Sequence, residues 1–276
     1  MDGILLVNKP AQMTSHDVVN RLRRILHIKK IGHTGTLDPQ ATGLMIVLVG
    51  KACKVLQFLK DTDKTYIATI QLGTDTDTMD VFGNTLNEKE IRTDFDFQSV
   101  LDTFMGKQTQ LVPMTSAKKI HGKKLIDYQR QNLKIEPIYQ DVEIYSIKAV
   151  DLQQLSFEVH CSSGTYVRSI CQEFAHKTGN LGCMKSLVRT KIGRFSLDQA
   201  QTLEDIEKEP KFYPVQLLLD HLPIVEIEDP TPVYQGKKLY FTNHNEKQIV
   251  VSLKGEPIAV YENIEKDLYA SKRGLW

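Results

Sequence analysis

Residues 32–43 read Gly-His-Thr-Gly-Thr-Leu-Asp-Pro-Gln-Ala-Thr-Gly and hold one carboxylate, Asp38, among three glycines and a proline. Glycine permits positive φ and close approach of a ligand to the backbone. Pro39 fixes the chain just after Asp38 and pushes Asp38 itself out of the helical region. The stretch therefore predicts a rigid loop that presents one carboxylate at a set place. Taken alone, an Asp-Pro pair reads as a turn. Three other segments bear on it: Asp63-Lys64-Thr65-Tyr66, the Ser163-Gly164 break leading to Thr165-Tyr166-Val167-Arg168, and Leu187-Val188-Arg189-Thr190. They could bring a carboxylate, a tyrosine and an arginine together. Singly, each has a plainer reading: Tyr66 as a half-buried core aromatic, Arg168 as a surface cation, Leu187 as core.

A carboxylate in a partly dry pocket can act as a nucleophile or assist an elimination. Burial would raise its pKa, and a nearby arginine would oppose that and orient it. A single carboxylate argues against a hydrolytic glycosidase, which usually needs two acids flanking the bond.

The elements that must position these groups follow from periodicity. Residues 3–8 read as a buried strand ended by Lys9-Pro10. Thr14-Ser15-His16-Asp17 matches a capping box, so a helix follows, with Val18, Val19, Leu22, Ile25 and Leu26 on one face. Residues 44–49 form a continuous apolar strand, and 52–59 read as a helix. Residues 64–72 alternate like a strand, 74–83 are acidic and turn-rich, and 97–105 form a short helix ended by Gly106. Residues 142–150 and 155–161 pair as strands. A helix runs from about 166 to 177 with Val167, Ile170, Cys171, Phe174 and Ala175 inward. Residues 181–195 mix apolar and basic types. After Pro210 the texture changes to short β-like runs at 238–241, 248–253 and 258–261, separated by Asn, Gly and Pro. The alternation is too irregular for a doubly wound sheet, so the fold class is α+β: a mixed, mainly antiparallel central sheet flanked by helices, with a small all-β appendage.

With 276 residues, 41% hydrophobic and 25% charged, the chain reads as one or two ordinary globular domains. Its four cysteines form no C-x-x-C pair, which suits reduced thiols rather than a zinc cluster. The N-terminal apolar run is too short for a signal peptide, and no stretch approaches the roughly 20 apolar residues that span a bilayer. A soluble, cytoplasmic protein without membrane contact is expected.

The net charge of +1 hides segregation of sign. From 116 to 135, Lys118, Lys119, Lys123, Lys124, Arg130 and Lys134 face one acid, Asp127, with His121, Gly122 and Tyr128 interleaved. Arg21, Arg23, Arg24, Lys29 and Lys30 form a second basic face, and Lys185, Arg189, Lys191 and Arg194 a third. Acid concentrates in 61–80, 204–209 and 226–229. A single charge run is usually a solvated face. Three of them point to a polyanion, with cations on phosphates and aromatic faces for bases.

In this order, residues 3–10, 32–43, 63–66, 164–170 and 187–195 resemble the bacterial TruB-type tRNA pseudouridine-55 synthases. The similarity runs from residue 1 to about 219. The Asp38 loop and 164–170 are its specific parts. The resemblance implies the pseudouridine synthase fold and conversion of uridine to pseudouridine in the tRNA T-loop. It implies no cofactor and no metal, no guide RNA, and action as a monomer. It implies that Asp38 is the catalytic carboxylate and that Arg168 pairs with it. Tyr66 would stack on the target base, with Tyr66 or water as the C5 base. Tyr166 would line the pocket, Leu187 pack beneath the base, and His33 contact the RNA loop. Lys9 and Pro10 would support the site. An insertion at about 111–138, with Lys118, Lys119, Lys123, Lys124 and Arg130, would grip RNA. The catalytic domain would span 1–221, and 222–276 would be a reduced PUA-like RNA-binding domain. One departure stands out. The family's Pro-Pro-x-Tyr-Ser-Ala run is here Val112-Pro113-Met114-Thr115-Ser116-Ala117, which removes an aromatic near the site. Two other readings compete: a non-catalytic RNA-binding or RNA-folding module, and a related synthase acting on other RNA.

Overall fold

The computed structural model describes residues 2–60, 62–131, 133 and 135–276; Lys134 of the predicted grip and Asp61 of the acidic stretch lie outside them. In chain order its elements are β1 (Gly3–Lys9), α1 (Ser15–Leu26), β2 (Ile31–His33), β3 (Thr42–Val49), β4 (Lys64–Leu72), β5 (Thr74–Thr76), β6 (Thr85–Glu88), α2 (Phe97–Asp102) and β7 (Gly106–Leu111). Then come β8 (Lys119–Ile120), β9 (Lys123–Lys124), α3 (Leu125–Arg130), β10 (Tyr139–Asp151), β11 (Ser156–Cys161), α4 (Val167–Lys177), β12 (Gly182–Ile192), β13 (Phe195–Ser196) and α5 (Leu203–Lys208). The C-terminal part holds β14 (Ile224–Glu226), α6 (Thr231–Tyr234), β15 (Leu239–Tyr240), β16 (Gln248–Leu253), β17 (Glu256–Glu265) and β18 (Leu268–Gly274).

A nine-stranded sheet runs β1-β3-β12-β4-β11-β10-β7, with β2 added to β3 and β13 to β12. All pairings in it are antiparallel except β12 with β3. The expected mixed sheet is present, as is the five-stranded C-terminal sheet β14-β16-β17-β18-β15. Among the described residues no helix is long and apolar enough to cross a membrane.

Strands β1 and β3 are apolar throughout because both faces are covered. Leu5, Val7, Met45 and Val47 meet α1 and α5, whereas Ile4, Leu6, Leu44 and Ile46 meet Ile192 and Phe195. Burial on both sides turns an alternating pattern into a continuous apolar run. Helix α1 starts at Thr14, whose hydroxyl and backbone exchange hydrogen bonds with Asp17. A cap of this kind contributes about 1 kcal/mol. The other core lies between α4 and the β4, β10 and β11 faces, where Phe174 meets Phe97 edge-on at 5.2 Å.

Four expectations change. Residues 50–58 wind as a 3₁₀ helix, not an α-helix, entered through Gly50 at φ +62°. Helix α2 ends at Asp102, short of Gly106, which instead opens β7. The irregular basic stretch contains the β8–β9 hairpin and α3. The stretch 181–195, mixed in composition, holds the long strand β12 and, past a turn, the start of β13.

Candidate active site

The Asp38 loop is fixed at both shoulders by the elements before it. On one side, the Ser15 hydroxyl at the start of α1 accepts from the Leu37 amide at 2.9 Å and donates to the Leu37 carbonyl at 3.2 Å. Leu37 and Ala41 are sunk into the α4 core. On the other side, Lys9 at the end of β1 is fully buried, and its Nζ donates to the carbonyls of Pro10 (2.8 Å), Met13 (2.6 Å) and Pro39 (2.9 Å). Burial drops the Lys9 pKa to about 8, against the pull of Asp38. Asp38 thus stands between two anchored neighbours. Lys9 supports the loop from beneath. Pro10 is exposed and borders a separate shallow recess with Thr42 and Leu203.

Arg168, the second residue of α4, is only 4% exposed, so it is no surface cation. Its Nε stands 3.1 Å from Asp38 Oδ2, and its Nη2 donates to Asp38 Oδ1 at 3.3 Å. This two-point pairing is what a planar guanidinium supplies and an ammonium does not. Nη1 donates to the Thr78 carbonyl at 2.8 Å and to the Thr115 hydroxyl, and lies 3.8 Å from Asp80 Oδ2. Nη2 also reaches the Thr115 carbonyl at 3.4 Å. The Asp38 pKa is raised: burial pushes it up, Arg168 pulls it down, Asp80 adds a smaller push and Lys9 a smaller pull.

Asp38, Tyr66, Tyr166, Arg168 and Leu187 all line one cavity of about 540 Å³, together with Arg189 and Ser116. Its size falls in the ordinary range for small-ligand sites. Tyr66 is 8% exposed and sits on β4; Leu187 and Arg189 sit on the neighbouring β12. Burial raises the Tyr66 pKa, with Arg189 opposing. Tyr166 precedes α4 and its amide donates to Gln110 Oε1 at 2.7 Å. The cavity therefore offers a carboxylate held by a guanidinium, an aromatic ring, an aliphatic side chain and a phenol.

His33 does not line the cavity; it ends β2, next to Thr34, which does. Its Nδ1 is buried without a partner among the described residues, and burial lowers its pKa. The predicted basic grip also stands outside the cavity. Lys119, Lys123 and Lys124 lie on the β8–β9 hairpin and Arg130 ends α3. Lys118 Nζ donates to Gln140 Oε1 at 2.6 Å, and Gln140 Nε2 donates to the Gly164 carbonyl, which ties the insertion to the loop before α4. Lys123 covers the Tyr128 ring at 4.7 Å. Of the third basic cluster, Arg189 is 1% exposed and belongs to the interior.

Sequence reading missed Asp80, Thr115 and Arg189 as site residues. Asp80 lies in the acidic, turn-rich stretch 74–83, where it bridges to Met184 of β12. Thr115 stands at the position of the family's tyrosine, and its hydroxyl and carbonyl both accept from Arg168, while Val112 is buried.

A family model described as TruB family pseudouridylate synthase (N terminal domain) matches residues 23–167. The chain belongs to the TruB family. Relatives named tRNA pseudouridine synthase B are 37% identical in Oceanobacillus iheyensis, over 95% of this chain and 93% of that protein, and 38% identical in Bacillus subtilis, over 83% and 80%. This TruB-family chain also shares the fold of a chain in a structure titled Crystal Structure of a Cbf5-Nop10-Gar1 Complex. That match has a TM-score of 0.71 at 22% identity and covers 99% of this chain and 85% of the other.

Proposed function

We propose that this chain isomerises uridine 55 in the T-loop of tRNA to pseudouridine, with Asp38 as the catalytic carboxylate. The observation that supports it best is the Asp38–Arg168 pair opening into a cavity that also presents Tyr66 and Leu187. Membership in the family and relatives named tRNA pseudouridine synthase B support tRNA as the substrate.

The base must leave the RNA stack to reach Asp38, at a cost of a few kcal/mol. His33, next to the cavity-lining Thr34, and the basic insertion offset that cost. Asp38 attacks C1′, or assists elimination at C2′, and the N1–C1′ bond breaks with its electron pair on the uracil. Arg168 keeps the carboxylate ionised and aimed. Tyr66 and Leu187 retain the detached ring while it turns. C5 then bonds to C1′, Asp38 is released, C5 loses its proton to Tyr66 or to water, and N1 gains one. Tyr166 closes the pocket wall. Residues 222–276 form a reduced PUA-like domain that adds RNA contacts, and 1–221 the catalytic domain. The protein acts as a cytoplasmic monomer without a guide RNA.

Tritium release from tRNA labelled at C5 of uridine tests the proposal. About one label per tRNA should be released by the wild type and none by Asp38→Asn, and replacing the T-loop uridine should abolish release. Intact binding with no release from any tRNA would instead favour a non-catalytic RNA-binding module.

A further inference from the structure

The Arg168 guanidinium carries its N–H donors in a rigid plane, so whatever fixes the plane also sets the edge that Asp38 meets. Two contacts go to Asp38: Nε to Oδ2 at 3.1 Å and Nη2 to Oδ1 at 3.3 Å. Two go to Thr115: Nη1 donates to its hydroxyl and Nη2 to its carbonyl at 3.4 Å. Nη1 also donates to the Thr78 carbonyl at 2.8 Å, and Asp80 stands farther off at 3.8 Å. Among the described residues, Thr115 is the one that engages both terminal nitrogens. A plane held at both ends resists turning about the side chain. Any residue type could offer the carbonyl, but a short hydroxyl side chain is what puts a second oxygen close beside it. The tyrosine of the family's run carries its hydroxyl at the far end of a ring. The exchange of that tyrosine for Thr115 therefore removes an aromatic and adds a clasp.

Thr115 is itself held. Just before it, the Val112 amide donates to the Ile138 carbonyl at 2.9 Å and closes the neck of the insertion. Just after it, Ser116 is buried, and its carbonyl accepts from the Ile126 amide in the first turn of α3 at 3.2 Å. The Lys118 carbonyl accepts from the Leu125 amide at 2.9 Å. The start of α4 is tied to the same region on both sides of Arg168. The Tyr166 amide donates to Oε1 of the buried Gln110 at 2.7 Å, and the Ser169 hydroxyl to the Leu111 carbonyl at 2.7 Å. Arg168 thus meets Thr115 between two fixed contacts.

We infer that Thr115 is a positioning residue for the isomerisation: its hydroxyl on Nη1 and its carbonyl on Nη2 fix the guanidinium plane so that Nε and Nη2 face the two oxygens of Asp38. The inference rests on the synthase reading above. Thr115 does not line the cavity, so it acts through Arg168 and not on the base. The insertion then has two jobs. Its exposed cations Lys119, Lys124 and Arg130 serve the RNA, and its root aims the carboxylate. Burial raises the Asp38 pKa, and three charged groups face it: Arg168 from α4, Asp80 from the turn after β5 and Lys9 from β1. A guanidinium free to turn holds the ionised carboxylate less well.

The test is single-turnover isomerisation at saturating tRNA, across pH, by wild type, Thr115→Val and Thr115→Ser, with Tm and the tRNA Kd measured beside it. Valine keeps the shape and deletes the hydroxyl. It should slow the reaction by about 10- to 100-fold, within what an ångström of misplacement costs, and leave the Kd unchanged. Its acid limb should move to higher pH. Serine keeps the oxygen and loses a methyl group, so it should restore most of the rate and the wild-type acid limb. A valine variant with the wild-type rate and pH profile would overturn the inference. A slow valine variant that serine does not rescue, or one whose loss lies in Tm or Kd with the pH profile unmoved, would mean a merely structural threonine and overturn it too. If the valine variant does not fold, Thr115→Cys, whose thiol is a weak acceptor, decides by the same readouts. A wild type that releases no C5 label would instead overturn the synthase reading, and this inference with it.

Discussion

Gly43 lies against Arg189 so closely that a Cβ at Gly43 would stand 2.3 Å from the Arg189 carbonyl oxygen. The two residues face each other in the parallel pairing of β3 with β12, and Gly43 has φ +105°. The last glycine of the Asp38 loop is therefore what lets β12 bring Leu187 and Arg189 to the cavity. Gly43→Ala meets both a forbidden backbone conformation and a backbone clash. Together these should cost about 3 kcal/mol or more. Urea denaturation should show the loss as a lower midpoint. A midpoint equal to wild type would contradict this account of the β3–β12 contact.

Asp38→Asn separates chemistry from stability. Removing a nucleophilic group should slow turnover by at least about 10⁴-fold. Stability should move the other way. The folded-state pKa of Asp38 is raised, so the folded protein holds that proton more tightly than the unfolded chain. The ionised carboxylate is then a net cost above the raised pKa, and the cost fades as pH falls through it toward the ordinary carboxylate value. Asparagine removes that cost, so Asp38→Asn should raise Tm at pH 7, with the gain shrinking in the acid window. For the same reason the acid limb of wild-type activity should lie above the ordinary carboxylate range. A lower Tm for Asp38→Asn at pH 7 would contradict the sign.

Arg168→Lys keeps a positive charge and discards the fork. The ammonium cannot hold both Asp38 oxygens and also serve Thr78 and Thr115. A carboxylate displaced by about 1 Å loses about 10²-fold in rate. The loss should fall on kcat, with the tRNA Kd little changed, because Arg168 serves the carboxylate. Arg168→Ala should add instability of about 3–5 kcal/mol, since it strands Asp38 partly buried beside Asp80. Equal kcat in the lysine variant would show that the second contact is dispensable.

What the sequence revealed and what it hid follow one physical line. Buried elements with a plain apolar pattern were legible: β1 and β3 as continuous apolar runs, β4 by alternation and the inward face of α4 by helical spacing. The strand β12 was not. Its ladder with β4 shifts register between Met184 and Ser186 and again between Arg189 and Lys191. Each irregularity breaks the two-residue period on which strand reading depends. One of its sides also carries a buried arginine, a residue type that reads as surface. Asp38 and Arg168 were found through the order of their motifs, since 130 positions of chain separate them. Asp80 and Thr115 reach the same guanidinium from turns and loops, where no period announces a side chain's direction.

The basic insertion gives a prediction that needs no catalysis. Lys119, Lys124 and Arg130 are exposed, whereas Lys118 is already engaged by Gln140. Exposed cations that neutralise phosphates release counterions, and the salt slope of log K falls by about 0.7–0.9 per phosphate contact removed. The triple change Lys119→Gln, Lys124→Gln and Arg130→Gln should therefore flatten the slope by about 2–3 and weaken tRNA binding at physiological salt. At saturating tRNA the rate of isomerisation should stay near wild type, because none of the three lines the cavity. Lys118→Gln alone should do less to the slope and more to the rate, because it loosens the Lys118–Gln140–Gly164 connection to the loop before α4. Filter binding from 50 to 300 mM salt, paired with single-turnover rates, reads both effects. A triple variant with the wild-type slope would remove the insertion from the RNA interface.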